Sequence, residues 1–188
     1  MTEATASPLL VELFLTNGRI RGVTHEVRGR KRLLDVLTDG GPSLRLESAN
    51  VLFASTSGAR ELASLNVEKR SIVAAIPHET QQQLRERSML TSTVGKYQTQ
   101  PLHAVLLLPP FIAEGSIHVP SSVGSIGARL TADAQIFASF VSVTGAKLSL
   151  PGGSEIESPV LLVNRDLIAG ISVVDERRAF GEQMLNAG

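Results

Sequence analysis

The sequence predicts an all-β protein with minor helix, built as two small antiparallel five-stranded barrels in tandem. Three observations carry this expectation. A fifteen-residue stretch, VELFLTNGRIRGVTH from Val11 to His25, recurs without a gap as AVLLLPPFIAEGSIH from Ala104 to His118, with Leu13/Leu106, Leu15/Leu108, Gly22/Gly115 and His25/His118 identical. Asn17-Gly18 between two apolar runs is a strong hairpin signal, because a tight two-residue turn needs positive φ at both positions. Short apolar segments alternate with turn residues along both halves, as small antiparallel barrels and sandwiches require.

The chain has 188 residues, 43% of them hydrophobic, with a mean hydropathy of +0.13. That is enough apolar material for a real core, and the length suits two small units. With no Trp, one Tyr and six Phe, the core must be built mainly from Leu, Ile, Val and Ala. The same scarcity argues against a stacking platform for single-stranded nucleic acid.

Taken in order, residues 1–8 read as a flexible tail ending in Pro8. Residues 9–77 form the first module. In its hairpin, a turn at Asn17-Gly18 sets Leu15 opposite Ile20, Leu13 opposite Gly22 and Val11 opposite Thr24. Gly22 inside the second strand marks a bend or a close backbone approach. Arg32 to Leu37 is long enough for one or two helical turns, stopped by Asp39-Gly40-Gly41-Pro42. Strands follow at Leu44 to Ser48, Val51 to Ala54, Glu61 to Val67 and Ser71 to Ile76.

Residues 78–101 are polar and Gln-rich and read as a linker, with a helix over Glu79 to Leu90. Residues 102–176 repeat the unit. Leu130-Thr131 answers Leu37-Thr38, and Ile136, Val141 and Val143 answer Leu46, Val51 and Phe53 across a loop three residues shorter. Val163 to Ile168 answers Val67 to Ile72. Residues 177–188 form a tail or a short docking helix.

The composition excludes several chemistries. There is no cysteine, so disulfides, thiolate metal sites and cysteine nucleophiles are ruled out, and a cytoplasmic setting is expected. The acidic start MTEATASP does not resemble a secretory leader. Ala104 to Ala113, the longest apolar run, is about half of a membrane span and contains Pro109 and Pro110. No membrane partner is expected.

The sequence holds no G-x-S-x-G, H-E-x-x-H, Walker loop or G-x-G-x-x-G. Glu155/Glu157 and Asp175-Glu176 read as solvated charges. No enzyme activity, catalytic residue or cofactor is expected. A second hairpin turning about Pro110-Phe111 sets His103 opposite His118, but two imidazoles fall short of a zinc site, and no metal site is expected.

The strongest charged feature is Arg19, Arg21, Arg28, Arg30, Lys31 and Arg32, six cations within fourteen residues against the single acid Glu26. On a hairpin and its following loop they could contact several phosphates. The plainer reading is a solvated strand edge whose charges oppose aggregation.

Two resemblances follow from these residues. VELFLTNGRIRG resembles the first motif of Sm-like proteins, and Lys69-Arg70-Ser71-Ile72-Val73 echoes their second. The resemblance implies small SH3-like barrels; in that family the loop after the bent strand and an Arg-Gly in the second motif bind RNA. Here the loop reads EVRGRKRLLD, and Ser71 follows Arg70. A closer similarity is to small uncharacterised bacterial domains with a G-x-x-x-G hairpin, an R-L-S-D-F-L-N-like turn and V-N-R-x-x-I. Arg32 to Thr38 and Val163 to Ile168 carry it, and it implies no known activity. The expected function is a binding or assembly module that engages a protein partner or a second copy of itself. The alternative is RNA or DNA binding through the basic hairpin.

Overall fold

In the computed structural model, which describes residues 8–27, 32–39, 41–54, 58–79, 99–120 and 139–173, β1 (Leu9–Leu15) and β2 (Gly18–Thr24) form the first hairpin. Its register differs from expectation. Leu15 pairs with Gly18, Leu13 with Ile20 and Val11 with Gly22, so the turn residues are Thr16 and Asn17. Gly18 has no positive φ. It is required instead by the neighbouring strand, since a Cβ there would lie 2.7 Å from Phe53 Cδ1 and 2.8 Å from the Leu52 carbonyl oxygen. A non-local packing demand thus imitates a local turn signal.

α1 (Leu33–Thr38) follows. The Asp35 carboxylate accepts the Arg32 backbone N–H at 2.7 Å, and Lys69 Nζ donates to the carbonyls of Val36 and Asp39 at its end. Both ends of a helix too short to hold itself together are therefore satisfied from outside its own ladder.

β3 (Ser43–Phe53) is one strand rather than the two expected, because Ser48 at φ 50 bends the chain without ending it. β4 (Arg60–Glu68) returns along it, a 3₁₀ turn spans Lys69–Ser71, and β5 (Ile72–His78) pairs with β1. In the second half, β6 (Thr99–Leu108) and β7 (Phe111–Pro120) form the second hairpin around a cis Pro109-Pro110 bond. β8 (Phe140–Ser149), β9 (Glu155–Asn164), a 3₁₀ turn at Arg165–Leu167 and β10 (Gly170–Val173) complete it.

The fold is antiparallel β with one helix among the described residues, and it corrects the expectation of two closed barrels. All ten strands form a single sheet in the order β10-β6-β7-β8-β9-β5-β1-β2-β3-β4. Each half repeats one strand order, with its last strand beside its first. At the centre β5 and β9 join through Ala74–Val163 and Ala75–Leu162. A sheet this wide must curl to bury its apolar side, and bulges supply local twist. The register slips at Gly22 against β3 and at Gly115 against β8.

Pairing partners fix the correspondence between the halves. Glu47 and Asn50 on β3 occupy the places of Thr144 and Lys147 on β8. Leu44, Leu46, Ala49 and Val51 therefore correspond to Val141, Val143, Ala146 and Leu148, all buried. Ser48 at φ 50 corresponds to Gly145 at φ 55. This replaces the expected match of Val51 and Phe53 with Val141 and Val143; the second loop is longer, not shorter. Ile136 and the expected counterpart of α1 lie outside the described residues, as do most of the expected linker helix and the C-terminal tail.

Two cores lie on opposite faces of the shared strands. Leu13, Ala75 and Leu162 face one with Leu33, Leu44, Leu46 and Phe140. Phe14, Ala74 and Val163 face the other with Leu106, Leu108, Phe111 and Val143. Each half thus lends the other an aromatic ring. Phe14 of β1 meets Phe111 edge-on at 5.9 Å, while Phe140 of β8 is buried among first-half residues. Burial on both sides explains why VELFL and IVAAI are almost continuously apolar. Among the described residues no helix is long and apolar enough to cross a membrane.

The glycine pair gives a graded prediction. A Cβ at Gly115 would lie 2.7 Å from Val143 Cγ1 and 3.0 Å from the Thr144 carbonyl oxygen, whereas one at Gly145 meets nothing within 4 Å. Gly145→Ala should cost about 1 kcal/mol from its left-handed backbone alone. Gly115→Ala should cost about 2 kcal/mol or more through overpacking. Urea unfolding of the two variants checks the order.

Candidate functional site

Of the six basic residues, the structure describes Arg19, Arg21 and Arg32. Arg19 and Arg21 pair with Phe14 and Glu12 across the hairpin, on the face opposite the core that holds α1. Arg19 Nε donates to the buried Glu12 carboxylate, and its guanidinium lies 5.7 Å from the Phe14 ring centroid. His78 Nε2 lies 3.3 Å from the second Glu12 oxygen. A carboxylate buried without partners would be costly, so Arg19 is engaged in satisfying Glu12. Arg32 is held at the start of α1 by Asp35, 3.1 Å away. Arg21 is exposed. Arg28, Arg30 and Lys31 lie outside the described residues.

The histidines separate. His103 faces Ser116 and His118 faces Pro101, because the turn is Pro109-Pro110 and not Pro110-Phe111. His103 Nε2 lies 2.9 Å from Glu114, His118 Nε2 3.3 Å from Thr144 Oγ1, and His25 Nε2 3.4 Å from Glu47. Each imidazole has a local partner of its own. No group of three His, Asp or Glu among the described residues is placed to hold a metal. Glu155 lies beside Lys147, where its hydrogen bond and charge hold the ammonium above its ordinary pKa.

Sequence reasoning missed the junction between the halves. Asn164, buried at the end of β9, donates from Nδ2 to the Ile72 carbonyl at 3.0 Å, and its Oδ1 accepts the Asp166 backbone N–H at 3.1 Å. One amide therefore closes the following turn and ties β9 to β5. Its counterpart in the first half is Glu68, exposed at the end of β4 and paired with Arg70 at 2.6 Å. A cleft of about 540 Å³ beside the junction is lined by residues of both halves, among them Thr38, Asp39, Lys69, Arg70, Phe140 and Asp166. Thr38 Oγ1 is buried there without a hydrogen-bond partner. Its charges are mixed, and Lys69 is already engaged with helix carbonyls.

At the two ends of the sheet, β4 and β10 each have one neighbouring strand among the described residues. Such edges present unpaired N–H and C=O groups to any extended chain. Of the six exposed large hydrophobics among the described residues, Leu62 is on β4, Ile171 on β10, Leu107 on the strand beside β10, and Leu167 on the turn before it. The exposed apolar surface is thus concentrated at the ends of the sheet, which makes them the candidate interaction site.

Asn164→Ala should destabilise the protein by about 1–3 kcal/mol, because it leaves the Ile72 carbonyl unpaired in the interior. Glu68→Ala, at the exposed counterpart, should change stability by less than about 0.5 kcal/mol. Denaturant titrations of both variants measure the contrast. No protein-family model, no curated protein and no solved structure matches this chain.

Proposed function

We propose that the chain is a non-enzymatic assembly module, a tandem duplicate of one small β unit, that engages a protein partner by strand addition at its terminal strands β4 and β10. The supporting observation is the position of β4 and β10 at opposite ends of one continuous sheet, with exposed leucine and isoleucine on or beside them. Main-chain hydrogen bonds along an edge supply affinity in this mode of recognition, and alternate side chains supply specificity. The lack of cysteine in the sequence fits a reducing bacterial cytoplasm.

RNA or DNA binding through the basic hairpin is the competing reading. Arg19 and Arg32 are already paired with carboxylates, which removes two of the six cations from a phosphate-binding surface. An electrophoretic shift assay at two salt concentrations distinguishes the readings. The assembly module gives no shift at low salt. A shift that weakens steeply with salt, and is lost when Arg28, Arg30, Lys31 and Arg32 become Ala, would replace this proposal with nucleic-acid binding.

A further inference from the structure

The partner that these edges fit can be read from the junction the chain already contains. β5 corresponds to β10, because Ala74 faces Phe14 as Gly170 faces Leu107, and β4 corresponds to β9. The internal junction of β5 with β9 therefore joins the counterparts of the two terminal strands of the described sheet. The terminal strand of the first half is of the β9 type, and that of the second half is of the β5 type.

The side chains carry the same pattern. On the outer side of the first half, Phe14, Val73, Ala74 and Ile76 are covered by the second half's core. Their counterparts, Leu107, Ala169, Gly170 and Ser172, occupy the outer side of the second half. Phe14 is 1% exposed and Leu107 45%. Ala75 at the junction is 0% exposed, and its counterpart Ile171 is 39%. Arg19 leans over Phe14, whereas its counterpart Ile112 is exposed beside Leu107. The second half thus exposes Leu107, Ile112 and Ile171 at the positions where the first half has Phe14, Arg19 and Ala75. The matching receptor end contains Val67, half-buried Leu65 and exposed Leu62.

Resting on the assembly reading, we propose that the partner is a second copy of this chain, joined head to tail. β4 of one copy pairs antiparallel with β10 of the next, with Val67 opposite Gly170 and Asn66 opposite Ile171, in the register of Val163–Ala74 and Leu162–Ala75. Leu107, which shares the face of Gly170, then lies beside Val67 and Leu65 of the other copy, while Ile171 lies beside Asn66 on the opposite face. The interface is heterologous, so it closes into a ring or extends as a fibre according to the rotation per copy. Glu68 stands where Asn164 locks the internal junction, and an ionised carboxylate cannot donate to the next copy's Ile168 carbonyl. This joint is therefore weaker than the internal one.

Because the chain has no cysteine, disulfide trapping reads the register directly. Residues facing each other across antiparallel strands have Cα atoms about 4.5–5.5 Å apart, within disulfide reach. Asn66→Cys and Ile171→Cys proteins, oxidised as a mixture, should give a cross-linked dimer that neither gives alone. Light scattering of the unmodified chain should show a mass that rises with concentration. Leu107→Asp, at an exposed position, should abolish that rise while leaving the circular dichroism spectrum unchanged. Cross-linking of Asn66→Cys with itself would overturn the head-to-tail arrangement in favour of a symmetric pair. A constant monomer mass with no cross-link would overturn self-association altogether. Either failure leaves the assembly reading to be decided by the nucleic-acid shift assay, so the two can fail separately.

Discussion

β1, β5 and the last four residues of β9, Leu161 to Asn164, are buried on both faces, and the rest of the architecture depends on that constraint. In an ordinary half-buried sheet one side of a strand faces solvent and alternates in polarity. Here successive residues of one strand enter different cores: Leu13 and Ala75 pack with the first, Phe14 and Ala74 with the second. Neither half completes its core alone, since the first needs Phe140 and Leu162 and the second needs Phe14, Val73 and Ile76. The repeat is thus a sheet-forming unit whose outer side is finished by its neighbour.

The same constraint accounts for the polar exceptions. Glu12 stands in a position that packing has closed to solvent, and it is tolerated because Arg19 and His78 converge on it from the two flanking strands. Asn164 occupies a comparable position at the junction and satisfies one backbone carbonyl and one backbone N–H. At the ends of the sheet, where no neighbour completes the unit among the described residues, the counterparts of Asn164, Phe14 and Ala75 are Glu68, Leu107 and Ile171. Among the described residues, the repetition gives one satisfied joint between β5 and β9 and leaves β4 and β10 with one neighbouring strand each.

Much of the secondary structure was legible in the sequence, because apolar runs, glycines and prolines report local geometry. The hairpins, the short helix after the basic loop and the match of Val163 to Ile168 with Val67 to Ile72 all appear there. What was not legible came from contacts between distant residues. Gly18 looked like a turn residue but is required by Phe53 and Leu52. Ser48 gave no glycine signal for its left-handed conformation, so β3 read as two strands. A strand buried on both faces shows no alternation, so nothing in VELFL could say that Phe14 belongs to the core of the other half. Nor does sequence proximity show that Arg19 is engaged with Glu12 on the hairpin while Arg32 is held by Asp35 at the start of α1.

The central claim is that the halves are one cooperative structure because they share strands between two cores. Native-state hydrogen exchange on the Phe14→Ala protein tests it most directly. The substitution lies in the first half but removes a side chain from the second core, a loss of about 3–5 kcal/mol. Amides of β6, β7 and β8 should lose protection together with those of β1, β2 and β3, and by the same amount. Protection that falls in the first half while β6 to β8 keep theirs would show two independent units and contradict the shared-strand architecture.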